Sequence, residues 1–90
     1  MSASFAELIG KTVVVDVDGP VIYLGRLAAA GAEFLTLEDA DTHHLGDSGT
    51  SRERYIIEAR KLGVGANRKR LEVRLARVVS VSRIEDVLEF

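Results

Sequence analysis

The sequence predicts one small, mostly β domain, in which a short helix and three antiparallel strands precede a second helix and two further strands. Apolar and polar residues alternate cleanly over residues 71–75, and the valine-rich run 13–17 and the run 21–27 also have the period of two that is typical of strands. Asp18-Gly19 separates the last two of these runs with a turn signal typical of a β-hairpin. Ninety residues with 47% apolar and 29% charged side chains fit a single globular domain that spans 1–90.

The first forty residues predict a helix followed by a three-stranded meander. Ser4 and Glu7 have the spacing of a capping box, and Gly10 can end the short helix that they begin. The apolar residues of this helix that share one face are Phe5, Leu8 and Ile9. The three strands are predicted at KTVVVDV, VIYLGRL and EFLTLEDA, with AAAGA as the connection before the third. Gly25 inside the second strand indicates a sharp bend or a close approach of backbone.

A long insertion, about residues 41–70, is predicted between the third and fourth strands. Its first part, within DADTHHLGDSGTS, is polar and rich in turn residues, and is interpreted as a loop. A helix over about 51–62 follows, with Thr50 and Glu53 at capping-box spacing and Gly63 as the C-terminal cap, and a strand at RYIIEA is the alternative.

The helix of the insertion carries an apolar stripe that consists of Tyr55, Ile56, Ala59 and Leu62. This stripe is expected to pack against the barrel or a neighbouring copy, or to form a docking face for a protein partner. VGANRKR is interpreted as a basic loop, and LEVRL and VVSVSRI as the last two strands, with a break at Ala76-Arg77.

Charge is distributed unevenly along the chain. Residues 52–83 contain ten Lys or Arg and three acids, a balance of +7, whereas the rest of the chain has a balance of -9. One part of the molecule can therefore attract an anion while the whole stays acidic, although a solvated surface of mixed charge is the alternative. The absence of cysteine, of a signal peptide and of any long apolar run predicts a cytoplasmic protein without a membrane segment.

Two segments of the chain resemble the two motifs of the Sm-like (LSm) family. The first motif is matched by Leu8, Gly10, Val13, Val15, Val17, Asp18-Gly19, Tyr23 and Gly25-x-Leu27, and the second by VRLARVVSV at Val73 to Val81. The resemblance covers about 10–40 and 71–84. It implies a strongly bent five-stranded antiparallel open barrel with an N-terminal helix, assembly into a ring of six or seven copies, and RNA binding. The long insertion implies a divergent member of bacterial or phage type.

Arg74 is the one residue that carries over from the family's RNA site. Members of the family place an Asp and an Asn before the third strand, and AAAGAEFL contains neither; the Gly and Asn of the second motif are Leu75 and Arg77 here. Arg74 and Arg77 are candidate nucleic-acid ligands, because arginine can bind a phosphate bidentately or stack on a base. The alternative is an outward-facing arginine that pairs with Glu72 or with an acid of a neighbouring copy.

A second candidate for nucleic-acid contact is the basic run Arg68, Lys69 and Arg70. It suits a phosphate backbone but has no interleaved aromatic residue on which a base could stack. The alternative is a solvated turn that pairs with acidic residues of the same or the adjacent copy.

Neither a metal nor any other cofactor is predicted, and no enzymatic activity. His43-His44 lies among aspartates but matches no metal motif. The sequence offers no nucleophile with an assigned base, no pair of carboxylates placed in a pocket and no glycine-rich phosphate loop.

Two functions from different classes are consistent with the sequence. The first is a homo-oligomeric ring that binds RNA, or less readily DNA, through the basic residues of the second half, and the motif matches favour it. The second is a structural or scaffold ring with protein partners from which the RNA site has been lost. The missing Asp, Asn and Gly favour the second.

Overall fold

The computed structural model describes residues 4–46 and 51–88, which form a five-stranded sheet with two α-helices and two short 3-10 turns. The elements in chain order are α1 (Ser4–Leu8), β1 (Thr12–Val17), β2 (Val21–Ala30), β3 (Phe34–His44), α2 (Arg52–Leu62), β4 (Arg68–Arg74), the first 3-10 turn (Leu75–Arg77), β5 (Val78–Arg83) and the second 3-10 turn (Ile84–Asp86). The predicted order of elements is confirmed.

The strands lie in the order β4-β3-β2-β1-β5, and every neighbouring pair is antiparallel. β4 and β5 are therefore the two edges of the sheet, although they are adjacent in sequence. The first 3-10 turn connects one edge to the other, which requires the sheet to curl into an open barrel. Each edge presents backbone donors and acceptors that another strand could pair with.

Gly25 of β2 lies opposite a β-bulge in β3, at a close approach of the two strands. The register shifts between Leu24 and Arg26, so that Asp39 and Ala40 of β3 lie opposite the single Gly25. Such a bulge bends the strand and increases its twist. A Cβ atom added at Gly25 would lie 2.9 Å from the Cβ of Ala40, closer than side chains normally approach. The predicted close approach of two backbones is confirmed.

The sheet buries apolar residues on both of its faces. The inner cluster, enclosed by the barrel, consists of Val13, Val15, Leu27, Leu35, Leu37, Ala40 and Val73, with Phe5 and Leu8 of α1 against it. The outer cluster consists of Val14, Ile22, Leu24 and Ile56, with Tyr55, Ala59, Ile84 and Val87 packed around it. Consecutive residues of β1 and β2 therefore belong to opposite clusters, and α2 covers the outer face of these two strands.

β3 and β4 are longer than predicted, and the insertion is correspondingly shorter. The loop prediction is wrong for residues 41–44, which pair with β2, and for residues 68–70, which begin β4. β2 likewise continues to Ala30, into the predicted AAAGA connection. These polar or small residues form strands because a neighbouring strand supplies partners for their backbone hydrogen bonds. The periodicity of one segment does not show such partners. The connection between β3 and β4 is thus 45–67 and not 41–70.

Asn67 extends the pairing at the start of β4. Its backbone N–H donates to the carbonyl of Ala40 at 2.9 Å. Its side-chain oxygen accepts from the backbone N–H of Thr42 at 3.1 Å, and its side-chain amide donates to the Thr42 carbonyl at 3.2 Å. The side chain therefore acts as one more rung of the ladder between β3 and the segment that precedes β4.

The helix α2 begins and ends close to its predicted limits. The Ser51 hydroxyl accepts from the Arg54 N–H at 3.2 Å and caps the first turn, whereas Thr50 lies outside the described residues. The Gly63 N–H donates to Ala59 at 2.8 Å and ends the last turn, as predicted. Leu62, expected in the packed stripe, is 85% exposed, whereas Ile56 of the same stripe is 2% exposed.

Ile9 was expected on the buried face of α1, and it is exposed because the helix ends at Leu8. Neither α-helix within 4–46 and 51–88 is long and apolar enough to cross a membrane.

Candidate nucleic-acid interface

The β2–β3 turn and the β4–β5 connection meet at one edge of the barrel. The turn is closed by the N–H of Gly31, which donates to the carbonyl of Phe34 at 2.9 Å. The N–H of Leu75 donates to the carbonyl of Glu33 at 2.8 Å, so the first 3-10 turn is tied to the β2–β3 turn. Arg74, the last residue of β4, lies opposite Phe34, the first residue of β3.

Arg74 and Phe34 form a cation–π pair. The central guanidinium carbon of Arg74 lies 5.2 Å from the centre of the Phe34 ring, within the range of a cation–π contact. Arg74 is exposed and Phe34 is half-buried. An exposed guanidinium over an aromatic ring offers both positive charge and flat surfaces. Proteins bind single-stranded nucleic acids through these two properties.

Phe34 was missed as a site residue in the sequence. It was interpreted only as the start of the third strand, since its contact with Arg74 depends on the pairing of β3 with β4, forty residues later in the chain. The available signal was an aromatic residue directly after a turn of small residues.

Arg77 lies three positions after Arg74 in the chain and has a different environment. Its Nε donates to the Asp18 carboxylate at 2.5 Å and one of its terminal nitrogens donates to the Asp18 carbonyl at 3.3 Å. The Asp18 N–H donates in turn to the Arg77 carbonyl at 3.1 Å. The hydrogen bond that Arg77 donates to the Asp18 carboxylate raises the pKa of Arg77 above its ordinary value. Arg77 thus has an acidic partner within its own chain. That partner is Asp18, and not Glu72 or an acid of a neighbouring copy as the sequence alternative proposed.

A cavity of about 330 Å³ brings the two arginines together with the β1–β2 turn. Its polar and aromatic lining includes Asp18, Tyr23, Glu72, Arg74 and Arg77. Two arginines and two acids line it, so their formal charges cancel within one copy. Of the two acids, Asp18 pairs with Arg77, and Glu72 accepts a hydrogen bond from the Thr36 hydroxyl. Arg74 is therefore the arginine of this cavity that makes no ion pair with the described residues.

The basic run Arg68 to Arg70 lies at the opposite end of β4 and forms part of the strand. Arg74 lies six positions after Arg68, a distance of about 20 Å at the rise of a strand. Arg70 lies 3.9 Å from Glu38, and Arg26 makes ion pairs of 2.8 Å with both Glu38 and Asp39 nearby. The two groups of predicted ligands are therefore on one strand but do not form one patch within a copy.

The histidines occupy the last two positions of β3, beside α2. The ring of His43 stacks on Tyr55 with ring centres 3.8 Å apart and planes at 10°, and the Tyr55 hydroxyl donates to Asp41. Burial, together with the bond to Asp41, raises the pKa of Tyr55 above its ordinary value. His44 is exposed. No group of three or more His, Asp or Glu that could hold a metal occurs among residues 4–46 and 51–88, and Asp47 lies outside them.

The architecture is that of the Sm fold, a bent five-stranded antiparallel open barrel that carries a short N-terminal helix. Among solved structures, the chain is similar to the Sm protein of Pyrococcus abyssii, solved in complex with a uridine heptamer. The match has 17% sequence identity and a TM-score of 0.61, and it covers 89% of this chain and 92% of that one. At this identity the likeness shows the fold, which confirms the predicted fold class. No protein-family model and no curated protein matches the sequence.

Proposed function

We propose that this protein is a non-catalytic, RNA-binding Sm-like protein that forms a homo-oligomeric ring in the cytoplasm, divergent and of bacterial or phage type. The RNA site is the junction of the β2–β3 turn with the β4–β5 connection, and its principal ligand is Arg74. The observation that carries this proposal is the exposed guanidinium of Arg74 over the Phe34 ring, within a fold whose solved example from Pyrococcus abyssii was captured with a uridine heptamer.

The cation–π pair suggests how RNA would be held. A base can stack on the open face of the guanidinium or on the ring beneath it, and a phosphate can accept two hydrogen bonds from the same group. No amide side chain lies in the β2–β3 turn to read a base edge. Recognition by stacking and charge alone tolerates any base, so we expect weak sequence preference and strong dependence on salt.

Assembly through the two sheet edges supports the same proposal. β4 and β5 each leave one edge unpaired within a copy, and β5 presents Val79, which is 70% exposed. Pairing of β4 in one copy with β5 in the next repeats head to tail, and a ring closes such a chain of contacts without leaving a free edge. A ring also contains one Arg74 per copy, and the charges of these side chains add to a strong local positive potential.

Fluorescence anisotropy with labelled U-rich, A-rich and mixed RNA oligomers at low salt tests the proposal, on protein whose assembly has been established by light scattering. We expect binding to all three that weakens steeply as salt is added. Replacing Arg74 with Ala should weaken it at least fivefold, on the order of 1–3 kcal/mol for a stacked base. Arg74→Lys keeps the charge and loses the flat surface, so we expect it to restore only part of the affinity.

Arg60→Ala is the matched control, since it removes the same charge from an exposed position on α2. It should leave affinity unchanged if the site is local and not a general effect of net charge. An assembled protein that binds none of the three oligomers would rule out the RNA function.

The second candidate is a structural ring with protein partners, and the Asp18–Arg77 pair favours it. In that pair Arg77, one of the two arginines of the site, is already bonded to an acid of its own chain. The formal charges of the residues that line the cavity cancel. If the assembled wild type fails to bind RNA, and the Arg74→Ala variant assembles equally well, this candidate is preferred.

A further inference from the structure

One ion pair ties the β1–β2 turn to the first 3-10 turn. Arg77 donates from its Nε to the Asp18 carboxylate at 2.5 Å and from a terminal nitrogen to the Asp18 carbonyl at 3.3 Å. The backbone N–H of Asp18 donates to the carbonyl of Arg77 at 3.1 Å. Only the first of these bonds uses the negative charge of Asp18. The other two use its main-chain atoms, so they hold the two turns together independently of that charge.

The Asp18–Arg77 pair is open to solvent. Both of its side chains are 61% exposed, whereas those of Arg52 and Asp16, the pair that joins α2 to β1, are 35% and 20% exposed. Water screens an exposed ion pair, which therefore contributes little to stability. A phosphate is an anion like a carboxylate, and it can accept two hydrogen bonds from one guanidinium. A phosphate can therefore replace the Asp18 carboxylate on Arg77.

The two arginines of the cavity differ in what they offer to such a phosphate. Arg74, Arg77 and Asp18 all line the same cavity of about 330 Å³. Arg74 makes no ion pair with the described residues, so its charge can attract RNA directly. Arg77 becomes available only when its bond to the Asp18 carboxylate breaks. An RNA phosphate in this cavity must compete with Asp18 for Arg77.

The outcome of that competition depends on how the phosphate is delivered. The Asp18 carboxylate is tethered beside Arg77 by the main-chain bonds, so its effective concentration there is high. A free phosphate ion has no tether and competes poorly. A phosphate of RNA that is already bound at Arg74 is itself tethered, and it meets the carboxylate on equal terms.

We propose that Asp18 is an internal competitor of RNA: its carboxylate holds Arg77 while the cavity is empty and yields it to a phosphate of RNA already bound at Arg74. This rests on the proposed RNA function and adds to it a residue that limits affinity and selects polyanions over simple anions. Arg74 is then the permanent cation of the site and Arg77 the conditional one.

The variant D18N tests the competitor with little disturbance of the fold. An asparagine before Gly19 suits a hairpin turn as well as an aspartate does, so the variant removes the charge and keeps the turn. The matched control is E58Q, which removes the same charge from another exposed pair, Arg54 and Glu58 of α2, 3.2 Å apart. Circular dichroism and light scattering establish that both variants fold and assemble as the wild type does.

Affinity is measured by fluorescence anisotropy with a labelled U-rich RNA over a series of salt concentrations. D18N should bind at least about threefold more tightly than the wild type, because no exposed ion pair has to be broken. The slope of log affinity against log salt should steepen by about 0.7 for each phosphate newly contacted. Adding R77A to D18N should return the affinity to that of the wild type or below, and E58Q should bind as the wild type does.

Inorganic phosphate tests the selection of polyanions. Sodium phosphate is added to the RNA complex and compared with sodium chloride at equal ionic strength. We expect phosphate to displace RNA from D18N at a lower concentration than from the wild type, because Arg77 of the variant has no tethered carboxylate.

Failure of the competitor and failure of the RNA function give different results. If the wild type binds RNA, the competitor is wrong and the RNA function stands when D18N binds no more tightly, when E58Q shows the same gain, or when D18N/R77A keeps it. If neither the wild type nor D18N binds RNA, the RNA function fails and the competitor fails with it.

Discussion

Replacing Gly25 with Ala should destabilise the domain, because two strands approach closely at this position. The added Cβ would lie 2.9 Å from the Cβ of Ala40, 3.1 Å from its Cα and 3.3 Å from the carbonyl oxygen of Glu38. Carbon atoms prefer separations of about 3.5–4.0 Å, so the nearest contact is at least about 0.6 Å too short. Two of the three atoms are backbone, which can yield only by opening the bulge between β2 and β3.

The expected cost is about 1–3 kcal/mol, the usual range for overpacking by one methyl group. A domain of this size is stabilised by roughly 5–13 kcal/mol in total, and each kcal/mol shifts the melting temperature by about 4–8 °C. Urea unfolding followed by circular dichroism, at one fixed protein concentration because assembly adds stability, measures the difference.

Gly65→Ala is the matched control, since a Cβ there meets nothing within 4 Å. It should be neutral or slightly stabilising, by up to about 1 kcal/mol, through the unfolded state. Adding Ala40→Gly to the Gly25→Ala variant removes the closest contact and should recover part of the loss. A Gly25→Ala protein as stable as the wild type would refute the close approach described for β2 and β3.

Four further measurements test other parts of the structure. Ile56→Ala should cost about 2–5 kcal/mol in urea unfolding, because Ile56 is 2% exposed in the outer cluster, whereas Leu62→Ala on the same helix should cost less than about 0.5 kcal/mol. Arg52→Ala should lower stability by separating α2 from Asp16 of β1, which accepts a 2.9 Å hydrogen bond from the Arg52 Nε; an unchanged midpoint in urea would contradict this. The raised pKa of Tyr55 gives a contribution to stability that is fully present below the ordinary tyrosine pKa of about 10 and is lost as the pH rises above that pKa. The unfolding free energy, measured between neutral and alkaline pH, should therefore fall less steeply in Tyr55→Phe than in the wild type. Val79→Glu should dissociate the proposed ring in light scattering, while Leu62→Glu, at a more exposed apolar position on α2, should not.

The order of elements followed from local pattern. Alternating valines in β1, the Asp18-Gly19 turn and the capping signals around α2 each depend on a few neighbouring residues, and these are the features that sequence represents directly. Gly25 is the same kind of signal, because a residue without a side chain inside a strand indicates that something else occupies its space. The ends of β3 and β4 could not be predicted in this way, since their polar residues are held by partners on other strands.

In the candidate site, too, the sequence indicated the residues and the fold decided their contacts. Arg74 and Arg77 were both identified from the second motif as candidate ligands, although only Arg74 matches a site residue of the family. Strand pairing separated them: it places Arg74 over the Phe34 ring and joins Arg77 to Asp18, which is 59 residues earlier in the chain. It also moved Arg68 to Arg70 from a loop onto an edge strand, where a second copy can reach them.

The sequence by itself determined that this chain is a small β barrel with a helix at its start, a second helix within it and a concentration of positive charge in its second half. Those properties depend on composition and on residues close together in the chain. The tertiary structure alone decided which strands are edges, which face α2 covers and which arginine has an acidic partner. Each of these depends on contacts between residues far apart in sequence, and such contacts exist only after the sheet has curled and closed.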